Sequence, residues 1–148
     1  MSDLQPFEDK LAALIATLSP CGRRRMAADI AKKVRAAQQK RIKTQKAPDG
    51  TPYEARKRQL VKAKNGRVKR RMFEKLCASR YLKAKGIDSA AVVDFTGKVQ
   101  RIARVHQLGL KDRPSRNSKE VAYPARQLLG FSLEDREIIK TVILKELG

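Results

Sequence analysis

One histidine, His106, and two cysteines, Cys21 and Cys77, are the side chains best suited to acid-base or nucleophilic chemistry. To act as an acid or a base, His106 would need a positioned nucleophile or an orienting carboxylate, and no motif around it supplies either. It falls on the apolar face of a helical pattern with Val99, Ile102 and Ala103, which reads as a packed histidine with a satisfied hydrogen bond. Cys21 stands at the start of a helical pattern among arginines, the setting of an activated thiol, but it lacks a redox partner and reads as an incidental small residue. The cysteines are far apart and outside any metal-ligand spacing, and no apolar signal-peptide core lies near the start, which together favour a reducing cytoplasm. Gly50, Gly66, Gly86, Gly97 and Gly109 are too scattered to cradle a phosphate. The sequence therefore predicts no catalytic residue, no cofactor and no metal.

Charge is the stronger signal. The chain of 148 residues carries 35 Lys plus Arg against 15 Asp plus Glu, a net charge of +20. From Gly22 to Lys85 there are 23 bases and four acids, so one segment carries nearly all of the excess. Arg67, Lys69, Arg70, Arg71 and Lys75 form its densest patch, and such crowding calls for an anion or an acidic surface opposite. Phosphate contacts there would give salt-sensitive, sequence-independent DNA binding, while the scarcity of aromatics argues against stacking on single strands. An acidic protein neighbour suits the same charge. No run reaches the roughly 18 apolar residues of a membrane-spanning helix, so no membrane partner is expected.

The elements that must position these groups follow from periodicity and punctuation. Leu4, Phe7, Leu11, Leu14, Ile15 and Leu18 recur at helical spacing over residues 3 to 18. Ser19 and Pro20 stop that helix and open a second, basic one to about Lys46, with Met26, Ile30, Val34, Ala37 and Ile42 on a thin apolar face. Pro48 to Tyr53 is a strong turn signal. A third helix is expected from Gly66 to about Arg80, through Val68, Met72, Phe73 and Leu76. Residues 81–85 and 90–96 read as a hairpin turning at Gly86 to Ser89. A short helix from Lys98 to Leu108 stops at Gly109. Residues 110–120 have the composition of a flexible loop. Ser132 and Asp135 then form an acidic variant of the capping box for a last helix through Leu147, with Leu133, Ile138, Ile139, Val142, Ile143, Leu144 and Leu147 as its apolar face.

Two signatures stand out from the basic background: Arg104 to Gly109, with His106 and Gln107, and Tyr123 to Phe131, with Pro124, Arg126, Leu128 and Leu129. A proline that fixes φ followed by a glycine describes a loop held in one shape, its hydrophobic groups aimed outward or into a seam. Leu128, Leu129 and Phe131 suit either core packing or an interface.

Taken in order, Phe7 to Asp9, Leu18 to Arg25, Ala47 to Tyr53, Gly66 to Leu76, Val105 to Gly109 and Tyr123 to Phe131 resemble the phage virion morphogenesis or tail-completion family, of the protein S type found in contractile-tailed temperate phages. Each motif alone is weak, but their colinearity over nearly the whole chain is specific. The family commonly has phenylalanine where Leu108 stands and proline where Gln127 stands. The resemblance implies a non-enzymatic protein that completes the tail end and stabilises the head-tail junction as a ring subunit. Its implied partners are tail and neck or head-completion proteins and further copies of itself. Its implied place is the virion, at the tail end or neck, after assembly in the host cytoplasm. It offers no catalytic residues.

The expected fold is α+β and helix-dominated, with a small antiparallel sheet built from the 81–96 hairpin and, as a further candidate, the strand near Val121 to Arg126. One domain over residues 1–148, with a basic arm-like segment at about 22–85 and a flexible loop at about 110–120, is the simplest organisation. A sequence-nonspecific nucleic-acid-binding protein using residues 22–85 is the alternative function.

Overall fold

A computed structural model describes residues 5–55 and 71–147. The chain is α+β, with α1 (Gln5–Ala16), α2 (Pro20–Lys43), β1 (Leu82–Gly86), β2 (Ala91–Phe95), α3 (Gly97–Leu108), β3 (Lys111–Asp112), β4 (Val121–Ala122) and α4 (Leu133–Leu147). It divides into two compact units, Met1–Ala36 with Lys83–Asp94 and Leu133–Gly148, and Ala37–Leu82 with Phe95–Ser132.

In the first unit, the corner between α1 and α2 is set by Ser19, whose Oγ accepts from the Gly22 N–H at 3.0 Å and satisfies one of the amides left open in the first turn of α2. The core is the stripe Met26, Ile30 and Val34 of α2 against Val142 of α4, with Ile15, Leu18, Val93, Ile139 and Ile143 packed on it. Burying such side chains stabilises by roughly 1.5 to 3 kcal/mol each. The β1-β2 hairpin turns through residues 87–90, where the Ile87 N–H bonds the Ala90 carbonyl at 2.9 Å, one residue later than the spacing suggests. Three expected core positions face out, Leu14 at 41%, Leu144 at 48% and Leu133. Leu133, the first residue of α4, is 82% exposed.

In the second unit, the end of α2 leads into the Pro48 to Tyr53 turn, fastened by Ala47 N–H to the Thr51 carbonyl at 2.8 Å and by Thr51 N–H to the Asp49 carboxylate at 2.9 Å. Ile42, Leu82 and Leu128 are wholly buried. The expected third helix is not a helix over its described part: residues 71 and 72 are irregular and 73–81 form successive bends and turns. The cause is local. Phe73 sits at φ +67°, which a right-handed helix excludes, and the Gln45 side chain holds Met72 on both sides, accepting from its N–H at 2.8 Å and donating to its carbonyl at 2.9 Å. The strand near Val121 does not join the hairpin either. It pairs antiparallel with β3, Lys111 opposite Ala122 and Asp112 opposite Val121, so a two-residue ribbon closes the base of the 110–120 loop. On α3 the buried residues are Ala103 and Val105, whereas Ile102, expected on the inner face, is 50% exposed.

Candidate functional site

Both sequence signatures lie in the second unit and meet side by side. Helix α3 ends at Gly109, whose φ of +68° is left-handed and whose N–H bonds the Val105 carbonyl. A side chain at Gly109 would also bring its Cβ to 2.9 Å from the Ala125 nitrogen, so the glycine admits the second signature next to the first. The Arg126 N–H then bonds the His106 carbonyl at 2.7 Å, and the Tyr123 N–H bonds the Leu110 carbonyl at 3.1 Å.

Beyond Arg126 the loop is held by side chains. The Gln107 carboxamide acts as a detached peptide group: its Oε1 accepts from the Leu128 and Leu129 N–H groups at 2.8 and 2.9 Å, and its Nε2 donates to the Leu129 carbonyl at 2.9 Å. The Arg41 guanidinium donates to the Leu128 carbonyl and to Gln38 Oε1, and that same oxygen accepts from the Gly130 N–H at 3.3 Å. The Tyr53 hydroxyl donates to the Gln127 carbonyl at 2.7 Å. Arg126 is buried, and its guanidinium donates to the Glu54 and Ala55 carbonyls at 2.9 and 3.3 Å. Buried backbone groups of an irregular loop need such partners, so this web is what fixes the loop's shape.

Of the signature residues, Leu128 and Arg126 are interior, Pro124 and Leu129 half-buried, and Phe131 65% exposed. Of the basic patch, Arg71 and Lys75 are exposed, while Arg67, Lys69 and Arg70 lie outside the described residues. Sequence reasoning passed over Gln38, Arg41 and Gln45, and read Tyr53 only as the end of the turn. A signal for Gln38 was available, since it continues the four-residue stripe Ile30, Val34, Gln38, Ile42 and is itself only 2% exposed.

His106 belongs to a row of edge-to-face rings, Tyr53, Phe73, His106 and Tyr123, with successive centroids 5.7, 4.9 and 5.0 Å apart. Its Nδ1 is buried without a hydrogen-bond partner among the described residues, so the expectation of a satisfied histidine fails at that atom. Burial, and then the nearby Arg126 charge, hold its pKa below the ordinary 6.5, and Asp112 opposes them. The Asp112 carboxyl itself is held below the usual range, first by its hydrogen bond from Arg101. A depressed histidine stabilises the fold fully above its unfolded pKa and loses that contribution as pH falls through its folded pKa. Thermal stability is therefore expected to decline as pH drops below about 6.5, above the range where carboxylates titrate. His106→Phe, which keeps the ring row, is expected to flatten that decline in melting curves. Burial also raises the Cys77 thiol pKa, while Cys21 is exposed.

The first signature, the Tyr123 to Arg126 stretch and the ribbon bound a cleft of about 700 Å³. Its walls include Phe73, Ile102, His106, Val121 and Tyr123, with Arg71 and Arg113 at its edge. Among the described residues no cluster of His, Cys, Asp and Glu could hold a metal ion, and no helix is long and apolar enough to cross a membrane.

The second unit thus carries a loop held in one shape beside a cleft lined by rings, aliphatic side chains and arginines. The chain belongs to the phage virion morphogenesis family, whose model matches residues 2–148. It is similar to the tail completion protein S of Escherichia phage P2, at 49% identity over 148 residues covering 99% of each chain. No solved structure matches it.

Proposed function

We propose that this protein completes the phage tail, as a non-enzymatic subunit that docks at the tail end or neck and stabilises the junction with the DNA-filled head, working in a ring with copies of itself. The observation that carries the reading is its likeness, along nearly the whole of both chains, to a tail completion protein. The geometry is compatible with it: Gln107 and Arg126 fix one loop, while Val105, His106, Tyr123 and Pro124 line one cleft. Its partners are tail and neck or head-completion proteins, and its place is the virion.

The test is complementation of a phage defective in its own tail completion gene. The wild-type chain is expected to restore joined particles, and continued accumulation of unjoined heads and tails would overturn the reading.

A second reading, contact with DNA, is favoured by exposed bases along α2, among them Arg24, Arg25, Lys32, Lys40 and Lys43. Changing Arg67, Lys69, Arg70 and Arg71 together to glutamine separates the two. If the patch meets an acidic tail or neck protein, duplex binding is weak from the outset and the variant yields unjoined heads and tails. If it meets DNA, the wild-type chain binds duplex tightly at physiological salt, and the variant flattens the salt dependence by roughly one unit of slope per lost phosphate contact. The first outcome is expected.

A further inference from the structure

We infer that the Phe131 to Glu134 segment of one copy docks into the cleft of the next, so that subunits join head to tail. This deepens the oligomeric part of the function proposed above and rests on it. Leu133 and Phe131 are the most exposed large apolar side chains of the described chain, at 82% and 65%. They lie in a stretch without a base from Gln127 to Asp135, and Glu134 beside them is exposed. For a chain of net charge +20, self-association is opposed by repulsion over most of the surface, so a contact between copies needs such a base-free, apolar segment.

The cleft is its complement. Ile102, Val121 and Tyr123 line it, and a volume of about 700 Å³ holds two apolar side chains comfortably. Arg71 and Arg113 at its edge are exposed, and neither is in a salt bridge among the described residues. The one carboxylate of the lining among the described residues, Asp112, is occupied by Arg101 at 2.5 Å. An incoming Glu134 therefore meets two available guanidinium groups. Because the two surfaces differ, the contact repeats from copy to copy and either closes into a ring or runs on as a filament.

The test uses two full-length variants at exposed positions, Phe131→Glu to disable the inserting segment and Ile102→Glu to disable the cleft. By analytical ultracentrifugation the wild-type chain is expected to associate with rising concentration beyond dimers, and each variant alone to remain monomeric. An equimolar mixture of the two is expected to form dimers and stop there, since one intact segment and one intact cleft remain. A wild-type chain that stays monomeric, a variant that assembles like the wild type, or a mixture that stays monomeric would overturn the inference. Complementation by that same wild-type chain would leave the tail-completion reading standing. Should either variant fail to fold, Ile102→Cys and Phe131→Cys, each in a Cys21→Ser background, replace them. A short bis-maleimide is expected to link the two variants to each other when mixed, and linkage of Phe131→Cys to itself alone would point to a two-fold contact and reject the model.

Discussion

Replacing Gln107 with leucine is expected to destabilise the protein by about 3 kcal/mol, because two inward backbone N–H groups lose their partner at once and each such orphan costs roughly 1 to 3 kcal/mol. The groups are the Leu128 and Leu129 amides, which meet the Gln107 Oε1 at 2.8 and 2.9 Å. Leu128 is fully buried, so no water replaces the lost contact there without opening the loop. The Leu129 carbonyl suffers less, since Gln127 Nε2 also donates to it at 3.1 Å. Gln107→Glu keeps both accepted bonds but turns a carboxylate oxygen toward the Leu129 carbonyl where Nε2 donated, so it should recover only part of the loss, and more of it at a pH where the carboxyl is protonated and can donate. Chemical denaturation measures both. Trypsin reports the mechanism, because Arg126 is buried in the native loop and becomes a cleavage site when the loop lifts. Equal stability of Gln107→Leu and the wild type would show that Arg41, Tyr53 and Arg126 fix the loop unaided.

Where sequence punctuation acted locally, the fold was legible. Ser19 and Pro20 mark a corner because a serine oxygen reaches an amide three residues on. Gly109 marks a helix end because its left-handed φ is open to glycine at no steric cost. The misread stretch is instructive for the opposite reason. Val68, Met72, Phe73 and Leu76 are spaced as on a helix, but over the described part of that stretch the conformation is dictated by Gln45, 27 residues away from Met72, and by rings stacked around Phe73. Periodicity carries no information about a side chain bonding the backbone of a distant segment. The β3-β4 ribbon was hidden by its length, since a two-residue strand is too short to show alternation.

The candidate site was half legible in the same sense. Its two signatures were visible as shape-fixing residues, and the structure brings them together. What the sequence left open is which of Leu128, Leu129 and Phe131 face inward, because an irregular segment has no period from which to read a face. Contacts decide it: Arg41 and Gln107 bind the backbone at Leu128 and draw its side chain inside, while past Gly130 the chain leaves the clamp and Phe131 is left in solvent.

In the first unit the largest single-residue effect is expected at Gly86. A Cβ built there would lie 2.2 Å from the Ala28 nitrogen and 2.6 Å from its Cα, far inside van der Waals contact and against helix backbone that cannot swing aside. The end of β1 thus rests directly on α2, over a surface kept low by Ala27 and Ala28. Gly86→Ala must push the hairpin off the helix or bend α2, and overpacking of this kind costs roughly 3 kcal/mol, on the order of 10 °C in Tm for a chain of this size. Val93, which packs on the Met26, Ile30 and Val34 core from the second strand, would be drawn away with the hairpin. Gly97→Ala is the matched control. It lies at the start of α3 with nothing within 4 Å of its added Cβ, so the same chemical change should be neutral or slightly stabilising. Thermal unfolding followed by circular dichroism compares the two. If Gly86→Ala melted with Gly97→Ala and the wild type, the hairpin would have to sit farther from α2 than the structure places it.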